Sequence, residues 1–359
     1  MARPLVMRCG AFGDMVLVTA LIQQLHARFG TPVDVITSGG WARPLLAPRT
    51  GVGEIYTLTS RRTPYWLDRE QQALVRQLRA RGAGPAWYCD GGGHGRDLLR
   101  RAGIGDALVC DTRDLPWLPC EHFVERWLRM AALDPPALTP PPPPPPPRAA
   151  NVTLDLTDDE RRACDAWLAR RGLAGRTLVA FQAGNKRTMR GHFRRRASNT
   201  KYWPEARWGE VIRGVRAALP DATLLLLGVR EEFALNEDIA AAAAVDDLHN
   251  VADDLPIPVL LPLLARCHSL VSVDTGPAHV AAALGRPTVT LFGVADPARF
   301  RPGGVGTPVA VLTGTVAGAT SILGITADTV LDTWRRLCGS RRTSPGDPGE
   351  LLAQHSRSP

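Results

Sequence analysis

Short, wholly apolar runs alternate along this chain with longer stretches in which apolar residues recur every three or four positions. Leu5-Val6-Met7 reads as a buried strand. From Asp14 onward, Val16, Leu17, Ala20, Leu21 and Leu25 keep helical spacing until Gly30, which stops the helix. Residues 33–36 and 86–89 are further strands, the second running into Asp90-Gly91-Gly92-Gly93 and a basic helix through Leu98, Leu99 and Arg101. The second half repeats the style, with buried strands at 177–181, 223–228, 269–273 and 288–292. A helix at 203–219 lies between the first two of these, and a last helix covers about 327–337. Such alternation predicts an α/β fold in which parallel sheets carry helices on their faces.

Eight consecutive prolines at 140–147, preceded by Pro135 and Pro136, punctuate this pattern. A proline run forms neither helix nor sheet ladder and takes a stiff polyproline conformation, which predicts a rigid spacer. With 359 residues, too many for one ordinary core, the chain is expected to divide there. The expected units are 1–148, ending in a proline-rich linker at 135–148, then 149–338, then a disordered tail at 339–359 rich in Ser, Arg, Pro and Gly. Apolar residues at 45% and charged residues at 22% are a globular composition. The formal charge of +8 favours anionic partners without choosing among phosphates, nucleic acid and acidic membrane surfaces. The 7 cysteines are scattered with no C-x-x-C pair, which argues against a disulfide framework or structural zinc and for reduced thiols in a cytoplasmic protein. No signal peptide and no membrane-spanning stretch are expected from the sequence.

Three stretches carry candidate chemistry. Arg8-Cys9-Gly10-Ala11-Phe12-Gly13-Asp14 joins the first strand to the first helix, where an open parallel sheet binds ligands. Its glycines let the backbone approach a ligand, yet it is not the G-x-G-x-x-G of nicotinamide dinucleotide sites. On spacing alone Asp14 is best read as a helix N-cap. In Asp274-Thr275-Gly276-Pro277-Ala278-His279, a buried strand enters a small-residue turn and a helix start, which attracts phosphate. The plainer alternative there is an Asp-capped core helix with a buried histidine. Lys201 precedes the helix start at Pro204-Glu205, where its charge would serve a diphosphate. Upstream, Lys186, Arg187, Arg190, Arg194, Arg195 and Arg196 form a run without acids, read as a solvated loop, an acceptor-phosphate site or a contact for an acidic membrane surface. Nucleic acid is not expected, because no stacking aromatics or recognised module accompany the charge.

Together these stretches resemble glycosyltransferase family 9, the ADP-heptose:lipopolysaccharide heptosyltransferases. The resemblance rests on residues 8–14, on Asp90 to Arg101, on Lys201-Tyr202-Trp203-Pro204-Glu205-Ala206-Arg207-Trp208, and on Asp274 to Pro287 continued by Leu291-Phe292-Gly293 and Asp296-Pro297. It implies a GT-B fold, two Rossmann-like domains facing across a cleft, with the acceptor on the N-terminal domain and the nucleotide sugar on the C-terminal one. It also implies that Asp14 is the catalytic base. Lys201 and the Thr275–Gly276 backbone would hold the donor diphosphate, supported by Asp274 and His279, with Arg8 and Gly13 on the donor side. Glu232 would bind the ribose, with Glu231 a near rival. Asp90, Gly92, Arg194 and Arg195 would meet the acceptor. The basic run at 186–199 and the proline run depart from the family pattern.

The reaction so implied is an inverting transfer, most simply of heptose from ADP-heptose to a lipopolysaccharide-core or similar glycan hydroxyl. No Asp-x-Asp motif occurs, so neither metal nor any cofactor beyond the nucleotide sugar is expected. A glycan or lipid-linked acceptor would put the enzyme in the cytoplasm, with peripheral contact to an anionic inner membrane. The rivals are a transferase for another nucleotide sugar with a small-molecule or protein acceptor, and a non-catalytic nucleotide-sugar-binding protein.

Overall fold

The computed structural model describes residues 3–60, 63–185, 199–304 and 306–339. In the first half the order is β1 (Leu5–Met7), α1 (Phe12–Phe29), β2 (Val33–Thr37), α2 (Ala42–Leu46), β3 (Val52–Thr57), α3 (Arg69–Arg81), β4 (Ala86–Tyr88), α4 (Gly93–Arg101), β5 (Val109–Asp111) and α5 (Phe123–Ala131). The second half continues with α6 (Asp158–Arg170), β6 (Leu178–Gln182), α7 (Glu205–Ala218), β7 (Thr223–Leu226), α8 (Phe233–Ala243), β8 (Leu248–Asn250) and α9 (Ile257–Arg266). It ends with β9 (Ser269–Val273), α10 (Gly276–Ala283), β10 (Thr288–Leu291), α11 (Pro297–Phe300), β11 (Val309–Leu312) and α12 (Ala327–Gly339).

All strands of the two main sheets pair in parallel, in the orders β3-β2-β1-β4-β5 and β11-β10-β9-β6-β7-β8. Both are Rossmann orders, whose direction reverses between β1 and β4 in one sheet and between β6 and β9 in the other. Ligands of such sheets bind in the crevice beyond the strand ends at that reversal. The strands expected from the apolar runs are the central ones. The four edge strands, β3, β5, β8 and β11, were not legible; three of them are only half-buried and so lack a continuous apolar run.

Helix α1 is buried around its circumference from Met15 to Ile22, because it packs on the first sheet, on α5 and on α10 of the second half. Gly30 ends it in the left-handed conformation (φ 64°), as its position predicted. One apolar cluster runs from Val6, Leu17 and Trp127 through Leu154 and Trp167 to Ala278 and Val280, so the two sheets share a continuous core. The proline run is not a free spacer. A polyproline segment makes no internal hydrogen bonds, and here its carbonyls are taken by α1. Buried Arg28 donates to the carbonyls of Pro142 at 3.1 Å and Pro143 at 3.2 Å, and Gln24 donates to that of Pro146 at 2.6 Å. A buried Arg49–Glu160 ion pair also ties the first half to α6.

Candidate active site

The loops after β1 and β4 meet at the first reversal point. Asp90 accepts the Cys9 N–H with both carboxylate oxygens, at 3.1 and 3.0 Å. Arg8 donates through Nη1 to the Cys89 carbonyl at 2.8 Å, lies 3.5 Å from Asp90 Oδ1, and pairs through Nη2 with Asp14 Oδ1 at 3.2 Å. Asp14 is therefore not the N-cap that spacing suggested. It is the third helical residue, and its Oδ2 reaches back to accept the Ala11 N–H at 2.7 Å. Its side chain keeps 26% exposure, so a substrate can reach it. A Cβ at Gly10 would stand 2.5 Å from that of Asp14, so only glycine admits this turn. With Ser38, Tyr88, Gly91, Gly92 and His94, these groups line a cleft of about 660 Å³. Asp90 is largely spent on bracing the two loops, whereas Gly92 stands exposed at the uncapped start of α4. Burial, then the neighbouring Asp90 and Asp111 charges, push the Tyr88 phenol up to about 12. It thus stays a hydroxyl, donating to the Gly92 carbonyl.

At the second reversal point the loops after β6, β7 and β9 converge. Buried Asp274 accepts two bonds from Lys201 Nζ, one to its carbonyl at 2.7 Å and one to Oδ2 at 2.5 Å. His279 Nε2 lies 3.9 Å from its other oxygen. Burial works against the Asp274 charge, but nearby His279 and the Lys201 ammonium outweigh it and hold the carboxyl below the usual range. No side chain caps α10: Thr275 is extended (φ −146°), and Asp274 turns to Lys201 instead. The Asp-capped helix of the plainer alternative is thus not what forms, although His279 is buried, its Nδ1 without a partner among the described residues. Gly293 admits the Lys201 loop, since a Cβ there would stand 2.0 Å from the Thr200 carbonyl oxygen.

Glu232 follows β7, the position from which an acid reaches a ribose in Rossmann sheets. It points inward and is 3% exposed, whereas Glu231 is exposed. Its Oε2 accepts from the Val229 N–H and from Gln182 Nε2, each at 3.2 Å. Burial pushes its pKa up to about 7. Gly184 leaves room for it, because a Cβ there would lie 2.2 Å from the Glu232 carboxyl carbon.

The two reversal points face each other through α1 and α10. A Cβ on Gly13 would meet the His279 ring at 2.6 Å, and one on Gly276 would meet the Phe12 ring at 2.0 Å. Gly13 thus gives close approach to His279, not open space for a ligand. Arg194 and Arg195 lie outside the described residues. Sequence reasoning missed the contact between α5 and α11. His122 caps α5 by accepting the Val124 N–H at Nδ1, which leaves Nε2 to donate to the Arg301 carbonyl at 2.9 Å. Burial lowers the His122 pKa, in keeping with that neutral form. Among the described residues no helix is long and apolar enough to cross a membrane.

The model of glycosyltransferase family 9 (heptosyltransferase) matches residues 106–314. Lipopolysaccharide heptosyltransferase 2 of Salmonella typhimurium is 23% identical over 79% of this chain and 81% of its own length. Lipopolysaccharide heptosyltransferase 1 of the same organism is 36% identical, but over 27% of this chain and 29% of its own length. Among solved structures, the E. coli ADP-heptose lps heptosyltransferase II superimposes with TM-score 0.70 at 22% identity, covering 95% of this chain and 99% of that one. E. coli heptosyltransferase WaaC with ADP gives TM-score 0.67 at 19% identity, covering 93% and 99%. These likenesses identify the architecture of facing Rossmann sheets as GT-B. The family model spans more than half of the sequence, and the chain belongs to glycosyltransferase family 9, the heptosyltransferases.

Proposed function

We propose that this chain is an inverting glycosyltransferase that moves heptose from ADP-heptose to a hydroxyl of the lipopolysaccharide core or a similar glycan. In this reading residues 1–148 take the acceptor and residues 149–338 the donor. The supporting observation is the abutment of α1 and α10, in which Gly13 touches His279 and Asp14 is the very next residue. The helix that carries a reachable carboxylate thus abuts the uncapped start of α10, whose preceding residue Asp274 holds Lys201.

Asp14 accepts the proton of the acceptor hydroxyl as its oxygen attacks the anomeric carbon. The bond from that carbon to the diphosphate oxygen breaks, and configuration inverts through an oxocarbenium-like transition state. Lys201, Arg8 and the backbone at Thr275–Gly276 take up the charge on the departing nucleoside diphosphate. Asp274 and His279 hold Lys201 in place, and Glu232 receives the ribose hydroxyls. The nucleotide sugar is a co-substrate, and the chain's own cations replace a metal at the leaving group. Asp90 shapes the acceptor cleft, Gly92 meets the acceptor, and Arg194 and Arg195 of the basic run join them. A lipid-linked acceptor goes with a cytoplasmic enzyme at an anionic membrane surface. The ADP bound by WaaC supports the choice of nucleotide.

Asp14→Asn keeps an oxygen for the Ala11 N–H and removes the base. Turnover of ADP-heptose should fall about 10²–10⁴-fold, with calorimetric ADP affinity within about twofold of the parent. Equal losses in affinity and rate would make Asp14 structural and remove the mechanism.

A further inference from the structure

The guanidinium of Arg8 is held on one side by Asp14 and Asp90 and on the other by aromatic rings. Its central carbon lies 6.0 Å from the Phe123 ring centroid and 5.7 Å from that of Trp127, within reach of a cation–π attraction. Phe123 does not belong to the first half alone. Its ring lies 5.1 Å from that of Phe300 on α11 and 4.9 Å from Trp117, edge-on to the latter. Trp117 in turn carries Arg126 at 4.1 Å and Arg299 at 4.7 Å from its centroid, one guanidinium from each half. The His122–Arg301 hydrogen bond fixes the backbone beside this ladder. An unbroken chain of ring contacts therefore leads from the C-terminal half to the arginine that pairs with Asp14.

We propose that Phe123 is a positioning residue, wedged between Arg8 and Phe300 so that the seating of α11 sets where the Arg8 guanidinium points. This rests on the reading that Arg8 faces the leaving diphosphate and steadies Asp14. Phe123 touches neither substrate nor reacting atoms; it acts through Arg8. When α11 is seated, Phe123 is pressed toward Arg8 and the guanidinium has one orientation. Without the ring, the Asp14 and Asp90 pairs, the Cys89 carbonyl and Trp127 still hold the guanidinium, but nothing ties its orientation to Phe300. The cost falls on the transition state, where alignment matters most, and less on holding ADP, most of whose proposed contacts lie at Lys201, Glu232 and the Thr275–Gly276 backbone.

The test is a kinetic cycle with Phe123→Ala, Phe123→Tyr, Phe300→Ala, Arg8→Ala and the double variant Phe123→Ala with Arg8→Ala. Phe123→Ala should lower kcat about 10–100-fold, with ADP affinity by calorimetry close to the parent value; the lost ring contacts lower the thermal midpoint too, so rates are compared well below it. Phe123→Tyr should restore the rate, and Phe300→Ala should lower kcat in the same direction as Phe123→Ala. In the Arg8→Ala background, Phe123→Ala should cost nothing more. Additive losses in the double variant, or a rate loss matched by an equal fall in ADP affinity, would overturn the inference and make Phe123 a packing residue only. A parent enzyme that binds ADP yet turns over no nucleotide sugar would instead sink the proposed function.

Discussion

Replacing Glu232 with glutamine removes a charge from a site that the fold shields almost completely. The carboxyl is 3% exposed and is flanked by Gly184 and Gly228, and one of its oxygens accepts from both Val229 and Gln182. Burial raises its pKa from 4.5 to about 7, so the folded chain holds this proton more tightly than the unfolded chain does. For a carboxyl raised in this way, the stabilising contribution is complete below the unfolded value and is lost as pH climbs through the folded one. A rise from 4.5 to about 7 corresponds to about 3 kcal/mol of folding free energy surrendered across that window. Glutamine offers an oxygen to the same two N–H donors and never ionises. Urea titrations at pH 8 should therefore find Glu232→Gln more stable than the parent by about 1–3 kcal/mol, with the two curves converging toward pH 5. Nucleotide reverses the preference on the proposed role, since ribose hydroxyls donate to the ionised carboxylate. ADP affinity of the parent should then weaken more steeply than that of the variant as pH falls through 7, the shared part of the slope being the second protonation of the nucleotide's own terminal phosphate. A stability difference that does not change between pH 5 and 8 would refute the reasoning about burial. Identical pH dependence of ADP affinity in parent and variant would refute the ribose assignment.

Two further outcomes follow from the geometry. Lys201→Ala removes the proposed diphosphate ligand and leaves buried Asp274 with His279 alone, so ADP binding should weaken about 10–100-fold by calorimetry; unchanged affinity would remove Lys201 from the donor site. Gly276→Ala sets a methyl 2.0 Å from the Phe12 ring, so α1 and α10 must move apart. It should cost about 1–3 kcal/mol in denaturation and lower turnover; a variant with parental stability and rate would show that the contact is not a fixed one.

The central strands of both sheets were legible because each lies between two neighbours under two helical layers, and that burial demands an unbroken apolar run. Edge strands escape the demand. Val52–Thr57 buries Ile55 alone, and Leu248–Asn250 and Val309–Leu312 bury no residue fully, so their sequences look like loop. The candidate site divides in the same way. The Asp274–His279 turn was readable because strand end, glycine and helix start are contiguous. The partnership of Lys201 with Asp274 joins residues 73 apart, and only the family pattern suggested that the two belong to one site. The cap reading that spacing alone gave Asp14 is off by one turn: composition favours acids near a helix start, but only coordinates distinguish a cap from a third helical residue that reaches back. Phe123 and Phe300 carry no polar signature, and nothing in their local sequence reports that they meet across the two halves.

Helix α1 unites these observations. Eighteen residues at 1.5 Å each make it roughly 27 Å long. Its first turn presents Asp14 and abuts α10, while its last turn carries Arg28, which grips the carbonyls of the proline run. The chain that passes from the first half to the second is thus fastened to the far end of the helix whose near end carries the proposed base. A free polyproline rod would let the halves swing about its ends. A rod hydrogen-bonded along α1 moves with the first sheet instead, and leaves any relative motion to the α1–α10 and α5–α11 contacts beside the cleft. Both contacts depend on glycines or aromatic rings with little slack, so displacement of the second half at either one registers at Asp14 and Arg8.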